Sequence, residues 1–288
     1  MVPTQLSQIL VRMPGVRTVP LAIVYRKKLG RWPNLLAPKR FTEKLQVAKL
    51  TWRSPLMTKL ADKVLAKNYV SALVGADWVT PTLYAGPDLP PVSERRWPVP
   101  YVIKANDRSS ATIFVHSEED KDWSKIDRTV NDWFAHPYTH GYQWAYAGIR
   151  PQVLVEPYIG SGAVVPIDYK FYVFGGRVEF IRVHTGRFVD RKGTTYDRDW
   201  RRLPFGIKVA EEDNGVAAPS CLREMVEGAE ALARGFPFVR IDLYEIEGKP
   251  RFSEVTFYPD SGYLQFHPEK YDLELGKLWP PGRPTANG

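Results

Sequence analysis

The sequence feature that most constrains the fold is a stretch near the carboxyl-terminal end, where two β-rich runs flank a short polar turn. The runs are Val239–Glu245 and Pro250–Phe257, and Glu247-Gly248-Lys249 lies between them. This pattern predicts an antiparallel β-hairpin. The other predicted elements are arranged around this hairpin.

Alternation along the two strands selects the side chains that act together, because successive residues point to opposite faces. The side chains that share a face are Arg240, Asp242 and Tyr244 in the first strand, and Phe252, Glu254 and Thr256 in the second. If the polar faces coincide, Asp242 and Glu254 converge beside Arg240. Buried carboxylates need a cation, and Mg²⁺ is commonly held by one or two carboxylates plus nucleotide phosphates. The hairpin is therefore a candidate nucleotide–metal site, with a solvated cross-strand Arg–Asp–Glu cluster as the alternative.

Composition and charge limit the classes of partner. The 288 residues can bury a substantial core in one large or two to three small domains, and 44% hydrophobic with 25% charged residues is typical of a soluble protein. A net charge of +8 and a pI near 9.4 favour anionic partners. These include a nucleotide, a phosphorylated sugar, a uronic-acid polymer, a nucleic acid or a membrane surface, and charge alone does not choose among them.

Cysteine, histidine and hydropathy narrow the kind of site and the compartment. A single cysteine, Cys221, excludes an internal disulfide and a cysteine-based zinc cluster, and the five histidines lack paired metal spacing. No run approaches the roughly 20 apolar residues of a membrane helix, so we expect a cytoplasmic protein. Val19–Lys28 is apolar with a basic end, which would allow weak attachment to an anionic inner leaflet. A first helix packed on the body is the preferred interpretation.

Proline-rich stretches and changes of periodicity divide the chain into five regions. Helical spacing predicts helices at Phe41–Leu50, at Pro55–Val70 and at Ser220–Arg234, the last with Ser220 as N-cap. By pattern, the lysines of the second helix belong to a solvated face. The regions are a basic appendage at 1–38, a helical or small α+β region at 39–100, two α+β modules at 101–160 and 161–265, and a tail at 266–288.

Short strands carry the remaining polar candidates. Tyr101–Lys104 ends in a lysine, and the polar turn Asn106–Ser110 that follows can direct backbone N–H groups at phosphate. Pro151–Tyr158 reads as a buried strand ending in Glu156. A second hairpin turns through Gly175-Gly176. Its strands carry Asp168, Lys170, Arg182 and His184.

The charged stretch from Gly186 to Gly206 has the length of a loop that is either a functional lid or disordered.

In this order, the polar positions resemble the ATP-grasp fold, and in particular its teichuronopeptide-biosynthesis (TupA-like) branch. The resemblance extends from about Arg26 to Gly262 and implies two α+β modules that clasp a nucleotide, here with a helical N-terminal appendage. The phrases that carry it are RFTEKLQVAKL (40–50), PLMTKLADKVLAKNYV (55–70), YVIKAND (101–107), DYKFYVFGGRVEFI (168–181), YDRDW (196–200) and RIDLYEIEGKPRFSEVTFYPDSG (240–262).

The resemblance also implies roles for individual residues, with ATP and Mg²⁺ as cofactors. Three positions would hold Mg²⁺: Asp242, Glu254 and Thr256. Three would act on the transferred phosphoryl group or its surroundings: Lys170, Arg240 and Arg182. Seven would bind the nucleotide: Lys63, Lys104, Ser109, Ser110, Glu156, Tyr158 and Asp168.

Two positions depart from the pattern of the relatives. The turn at Asn106–Ser110 stands where relatives tend to have a His-Gly-Ser-Gly type of turn, and its Asp107 would repel phosphate unless Arg108 or a metal offsets the charge. Thr256 stands where such ligases often have asparagine, although a hydroxyl can still bind a metal or its water.

The implied activity is an ATP- and Mg²⁺-dependent carboxylate–amine ligase that forms an acylphosphate, with lysine, arginine and Mg²⁺ stabilising the anionic charge. Its partners would be an anionic small molecule or cell-envelope polysaccharide and an amine, for example a uronic acid and an amino acid. Two alternatives stay open: a phosphotransferase acting on a sugar hydroxyl, and a non-catalytic protein that binds an anionic polysaccharide. A nucleic-acid partner is disfavoured, because no basic helix or aromatic RNA-binding motif is present.

Overall fold

A computed structural model of the protein describes residues 18–135, 141–161, 165–185, 192–208 and 215–280. It is an α+β fold in which every strand pairing is antiparallel within these residues. The helices are α1 (Thr18–Leu29), α2 (Phe41–Thr51), α3 (Pro55–Ala61), α4 (Leu65–Val74), α5 (Trp123–Ala135), α6 (Trp144–Ala147), α7 (Leu222–Leu232) and α8 (Lys270–Leu278). The strands are β1 (Tyr84–Gly86), β2 (Tyr101–Ala105), β3 (Thr112–Val115), β4 (Val153–Pro157), β5 (Asp168–Phe174), β6 (Arg177–Thr185), β7 (Lys192–Tyr196), β8 (Gly206–Ile207), β9 (Phe238–Ile246), β10 (Lys249–Thr256) and β11 (Phe266–His267).

The large sheet contains five strands in the order β10-β9-β5-β6-β7. Both predicted hairpins are confirmed within it. Glu247 and Gly248 turn β9 into β10 with φ angles of 53° and 74°, and Gly175 and Gly176 turn β5 into β6 with 56° and 83°. Positive φ at both turn residues matches the right-handed twist of the strands, which is why glycine recurs at these two turns.

The small sheet contains four strands in the order β1-β4-β2-β3. Each sheet has its own hydrophobic core. Among the described residues, the core of the small sheet has seven buried members, including Tyr101, Ile126 and Val155, whereas the much larger core joins the large sheet to α2, α3, α7 and α8. The two sheets are therefore packed as separate units that face each other across the site described below.

The predicted helix at 55–70 is wrong as a single element, because α3 ends at Ala61 and α4 begins at Leu65. The Asp62 side chain causes the break, since its Oδ1 accepts hydrogen bonds from the backbone N–H groups of Val64 at 2.8 Å and Leu65 at 3.3 Å. A carboxylate that satisfies N–H groups in this way starts a new helix. Lys63 consequently lies in the turn between two helices.

The start of α7 also differs from the prediction. The helix spans Leu222–Leu232 and its N-cap is Cys221. Ser220 instead donates its hydroxyl to Glu245 Oε1 at 2.6 Å, so it ties the approach to α7 onto the large sheet.

The prediction of a continuous loop from 186 to 206 is wrong for Lys192–Tyr196, which forms β7 at the edge of the large sheet. Thr194 and Thr195 within it are completely buried. β-Branched residues favour a pleated, buried strand, and the charges on either side hide this signal in the sequence. Residues 186–191 of this stretch lie outside the described residues.

The chain ends are the last part of the fold with sequence predictions. The region predicted as a tail contains helix α8, Lys270–Leu278, and within the predicted appendage α1 is described from Thr18. The predictions for residues 1–17 and for the end of the tail at 281–288 lie outside the described residues. No helix in the described part of the chain combines the length and the apolar character needed to cross a membrane.

Candidate active site

A row of polar side chains crosses all five strands of the large sheet at one register level. Glu254 pairs with Asp242, Asp242 with Lys170, Lys170 with Arg182, and Arg182 with Thr195. Directly opposed residues in antiparallel strands have close side chains. The convergence of Asp242 and Glu254 predicted from alternation is therefore confirmed, and the row extends beyond the hairpin to strands that are distant in sequence.

A β-bulge between Phe252 and Glu254 modifies one detail of that prediction. The register pairs Phe252 with Leu243 and Glu254 with Asp242, so strict alternation does not hold from Phe252 to Glu254. Bulges re-aim side chains and occur next to active sites. Here the bulge keeps the carboxylate of Glu254 in the polar row.

Asp242 is the most heavily bonded member of the row. Its Oδ1 accepts Arg240 Nε at 2.6 Å, and its Oδ2 accepts Arg240 Nη2 at 2.7 Å and Lys170 Nζ at 2.6 Å. Lys170 Nζ also donates to Asp168 Oδ2 at 2.6 Å. Burial alone would raise the pKa of Asp242, but Arg240 and Lys170 outweigh it and lower the pKa to about 2.

Asp242 and its two cations form a strongly charged and largely buried centre. Burial alone would lower the pKa of Lys170, but Asp168 and Asp242 outweigh it and raise that pKa, and Asp242 likewise raises the pKa of Arg240.

Glu254 and Thr256 flank this centre on β10. Arg240 Nη2 donates to Glu254 Oε1 and to Thr256 Oγ1, both at 3.1 Å, whereas Glu254 Oε2 is 3.9 Å from Lys63 Nζ. The described residues contain no cluster of three or more His, Cys, Asp or Glu side chains arranged to hold a metal ion. Carboxylate and hydroxyl oxygens nevertheless suit Mg²⁺, which one or two carboxylates can hold together with nucleotide phosphates. The donor set therefore fits a shared protein–phosphate magnesium site.

A first cavity of about 410 Å³ lies between the two sheets. Its lining includes apolar side chains: Val79, Val102, Leu154, Ile159 and Phe252. It also includes five cations: Lys63, Lys67, Lys104, Arg108 and Lys170. A cavity that combines apolar and cationic side chains fits a purine base followed by a chain of phosphates.

Glu156 organises the cations on the side of the small sheet. Its Oε2 accepts Lys104 Nζ at 2.7 Å, and its Oε1 forms an ion pair with Lys67. Burial alone would raise the pKa of Glu156, but the two lysines outweigh it and lower the pKa. Lys67 is a site residue that sequence reasoning assigned to a solvated face. Its helical spacing carries no sign of the partner, because Glu156 lies on a distant strand.

Tyr158 follows Glu156 at the end of β4 and also lines this first cavity. Its ring makes edge contacts with Phe114, at 5.8 Å between centroids, and with His116, at 4.9 Å.

The turn between β2 and β3 forms a lip shared with a second cavity. Arg108 Nε and Nη2 bind the two carboxylate oxygens of Asp107 at 2.8 and 2.9 Å, and Arg108 also donates to the carbonyl of Trp133. Lys63 Nζ donates to the Arg108 carbonyl at 2.9 Å, and burial lowers the pKa of this lysine. The negative charge of Asp107 is thus offset by Arg108, as the sequence analysis required.

The two serines of this turn line the first cavity and the second one as well. Ser110 adopts a φ of 65°, a left-handed conformation that costs about 1 kcal/mol or more for a residue with a side chain. Sequence reasoning did not identify Arg108 as a lining residue, although its position in the polar turn was the available signal.

The second cavity, of about 470 Å³, lies on the other side of this lip. It extends over the large sheet to Arg182, Lys208 and Asp260. The residues that line both cavities, and so form the wall between them, are Lys63, Arg108, Ser109, Ser110, Lys170, His184 and Glu254. A group placed at this wall is accessible from both cavities.

Arg182 occupies a preformed space beneath the second cavity. Its Nη1 donates to Thr195 Oγ1 at 2.9 Å, and the side chain is almost completely buried. Gly193 makes room for it, since a Cβ at this position would lie 2.5 Å from Arg182 Nη2 and 2.7 Å from Cζ. A larger residue at this position would therefore have to displace the guanidinium.

The far wall of the second cavity is a strained turn, Pro259–Gly262. Asp260, Ser261 and Gly262 have consecutive positive φ angles of 47°, 54° and 75°. Gln46 Nε2 donates to the Gly262 carbonyl at 2.7 Å, and Lys49 Nζ donates to the Ser261 carbonyl at 2.8 Å. Helix α2 thus holds the turn in place, and such strain is typical of functional sites.

Comparison with known proteins identifies the fold. The sequence model of the TupA-like ATPgrasp family matches residues 43–279. An L-amino acid ligase from Bacillus licheniformis aligns with 13% identity over 91% of this chain and 62% of its own, with a TM-score of 0.50. D-alanine–D-alanine ligase from Bacillus anthracis, complexed with ATP, aligns with 15% identity over 76% and 62%, with a TM-score of 0.42.

These matches have a defined extent. The chain spans 57% to 62% of the length of the first solved ligases that it matches. No curated protein matches the sequence. The family model, however, covers most of the chain, and the two sheets with a cavity between them are the ATP-grasp architecture. The chain belongs to the TupA-like ATP-grasp family.

Proposed function

We propose that the protein is an ATP- and Mg²⁺-dependent carboxylate–amine ligase that works in the cytoplasm, where ATP is available. One observation carries this proposal: two cavities meet at a wall that contains Lys63, Lys170 and Glu254. Transfer of a phosphoryl group needs a nucleotide on one side and an acceptor on the other, with cations at the point of transfer. Residues 101–160 then form the nucleotide-binding module and residues 161–265 the catalytic module.

The first cavity is assigned to ATP. The adenine base contacts apolar side chains of this cavity beside Tyr158 and the backbone that follows Glu156, and Asp168 faces the ribose or a cation. Lys63, Lys104 and the two serines of the shared lip receive the phosphates. The two charged lysines bind phosphate oxygens more strongly than neutral donors do.

Glu254, with Asp242 and Thr256, would hold Mg²⁺ at the wall between the cavities. When bound, the ion supplies charge neutralisation for the phosphates. Both Asp242 oxygens already accept hydrogen bonds from Arg240 and Lys170. Glu254, whose side chain is more exposed, is therefore the principal protein ligand in this proposal.

The reaction divides into two transfers at this wall. An oxygen of the substrate carboxylate attacks the γ-phosphorus of ATP, the bond to the ADP oxygen breaks, and an acylphosphate forms. The amine then attacks the acyl carbon, and the bond to phosphate breaks to release inorganic phosphate. Lys170 and Arg240 stabilise the negative charge of both transfers, and Arg182 binds the acceptor from below the second cavity.

The second cavity is assigned to the carboxylate and the amine. Its cationic lining, with Arg182, Lys208 and Arg108, suits an anionic acceptor such as a uronic acid or an anionic cell-envelope polysaccharide. A role in the biosynthesis of such a polymer is the finer part of the proposal, and it rests on the family to which the chain belongs.

Trapping of the acylphosphate tests the proposal. The protein, ATP and Mg²⁺ are incubated with uronic acids or amino acids and hydroxylamine, and hydroxamate and phosphate are measured. A ligase gives hydroxamate and phosphate in equal amounts, and Glu254→Gln abolishes both, whereas the surface variant Lys277→Gln keeps them. Phosphorylated sugar without hydroxamate would replace this proposal with a phosphotransferase, and no ATP binding by the folded protein would favour a non-catalytic polysaccharide-binding protein.

A further inference from the structure

Exposed apolar side chains are concentrated in one segment of the described chain. Ten large hydrophobic residues are exposed among the described residues, and five of them lie between positions 19 and 36. Trp32 and Leu36 are 65% and 100% exposed, and Val19 and Ile23 are 62% and 53% exposed. Scattered surface hydrophobic residues need no explanation, but a concentration of this kind marks an interaction surface.

Helix α1 packs on the rest of the protein through the face opposite Val19 and Ile23. Leu21 and Tyr25 are completely buried, and the Tyr25 hydroxyl forms a 2.7 Å hydrogen bond with Thr42 Oγ1. Residues that lie four apart fall on the same side of a helix. Val19 and Ile23 therefore point outward together while Leu21 and Tyr25 hold the helix in place. The helix has an anchored face and an uncovered apolar face.

Basic side chains accompany the uncovered face. Arg26, Lys27 and Lys28 are exposed at the end of α1, and none of them forms an ion pair with any described residue. By contrast, Arg31 immediately after the helix is bound to Glu269 and Asp272. Exposed apolar side chains beside cations that pair with no described residue are the combination found on segments that lie in the headgroup region of an anionic membrane.

We propose that the exposed side chains of this segment, Val19, Ile23, Val24, Arg26–Lys28, Trp32 and Leu36, dock onto an anionic lipid surface. The charge selects this occupant, because a second copy of the chain would bring a second set of cations against the first. Anionic headgroups neutralise the cations while the apolar side chains enter the interface.

The carboxyl-terminal end of α1 is connected to the second cavity by hydrogen bonds. Gln265 Nε2 donates to the Lys28 carbonyl at the end of α1 at 2.9 Å, and the Lys208 backbone N–H donates to the Gln265 carbonyl at 3.1 Å. Lys208 lines the second cavity. Gln265 therefore connects the end of α1 to a residue that lines the second cavity.

Vesicle co-sedimentation of the full chain tests the proposal. We expect binding to phosphatidylglycerol vesicles, weaker binding at high salt, and no binding to phosphatidylcholine vesicles. Removal of three cations near the surface should weaken binding about 100-fold, and acidic residues on the apolar face should weaken it about tenfold or more. The test variants are Arg26→Gln/Lys27→Gln/Lys28→Gln and Val19→Asp/Ile23→Asp.

Matched controls change equally exposed residues elsewhere on the surface. Both controls should bind vesicles like the wild type, and all variants should keep ATP binding as a check of folding. The controls are Lys125→Gln/Arg128→Gln/Arg223→Gln and Leu73→Asp/Val92→Asp. No wild-type binding to anionic vesicles, or equal loss in test and control variants, overturns the proposal. A concentration-dependent dimer that Val19→Asp/Ile23→Asp abolishes would assign the face to a second copy instead.

Discussion

Asp242 and Glu254 are opposed carboxylates, yet the same change from carboxylate to amide should affect them very differently. Asp242 is 1% exposed and holds two buried cations, Arg240 and Lys170, through three ionic hydrogen bonds of 2.6 to 2.7 Å. Asp242→Asn removes the negative charge that pairs with these two buried cations. Removal of one partner from a buried ion pair costs roughly 3–5 kcal/mol. Because Asp168 and Glu254 still compensate part of the charge, we expect about 3 kcal/mol of lost folding stability.

Glu254→Gln should lower the folding stability by about 1 kcal/mol or less. Its side chain is 29% exposed and receives a 3.1 Å bond from Arg240. The same change should nevertheless remove the Mg²⁺ dependence of ATP binding, since Glu254 is the principal proposed ligand. A structural carboxylate and a metal-binding carboxylate would thus be separated by two measurements on two variants.

Urea unfolding measures the first effect, and calorimetry of ATP with and without Mg²⁺ measures the second. The stabilising contribution of Asp242 has a defined pH window, because its pKa is lowered from 3.8 to about 2. A lowered pKa stabilises the folded state above 3.8, and this contribution is lost as the pH falls toward 2. The wild type should therefore lose stability in that window more steeply than Asp242→Asn.

Equal stability of Asp242→Asn and Glu254→Gln would refute this reasoning. It would mean that the cations around Asp242 are hydrated or compensated by other groups, and that the short contacts contribute little.

Three further predictions concern other parts of the site. Burial lowers the pKa of Lys49 from 10.5 to about 7, so the unfolded state binds this proton more tightly than the folded state does. Folding stability should therefore rise from pH 7 toward 10.5, by up to about 1.4 kcal/mol per pH unit. Lys49→Met should flatten this slope in urea titrations. Gly193→Ala should displace Arg182 and lower acceptor-dependent turnover about tenfold or more, with unchanged ATP affinity. An equal loss of ATP affinity would contradict the assignment of the second cavity. Lys104→Gln should weaken ATP binding in calorimetry by about 1.5–3 kcal/mol, and the exposed control Lys125→Gln should leave it unchanged.

The parts of the fold that sequence predicts well are those determined by local chemistry. Glycine-containing turns and alternating strands determine both hairpins, and the alternation of β9 places Asp242 on the correct face. The break at Asp62 was missed because helical spacing continues through it, although a carboxylate near a new helix start was an available signal. The bulge before Glu254 has no local signal, because strand pairing produces it.

The site itself depends on contacts between residues that are far apart in sequence. Glu156 meets Lys67, and Arg182 fits against Gly193, only after strands and helices have packed. The second cavity combines positions from Ala61 to Ser261, and no spacing in the sequence relates them. Family resemblance supplied the names of several of these residues, but the wall that joins the two cavities follows from the three-dimensional arrangement alone.

The separate hydrophobic cores of the two sheets have a consequence for the way the nucleotide acts on the protein. The core of the small sheet is much the smaller one, so local opening of this sheet should require less free energy than global unfolding. A ligand that touches both sheets stabilises their closed arrangement in proportion to the logarithm of its concentration. ATP would thus stabilise the packing of the small sheet against the rest of the molecule. The amide hydrogens of β2 and β4 would then exchange with solvent more slowly as the nucleotide concentration rises.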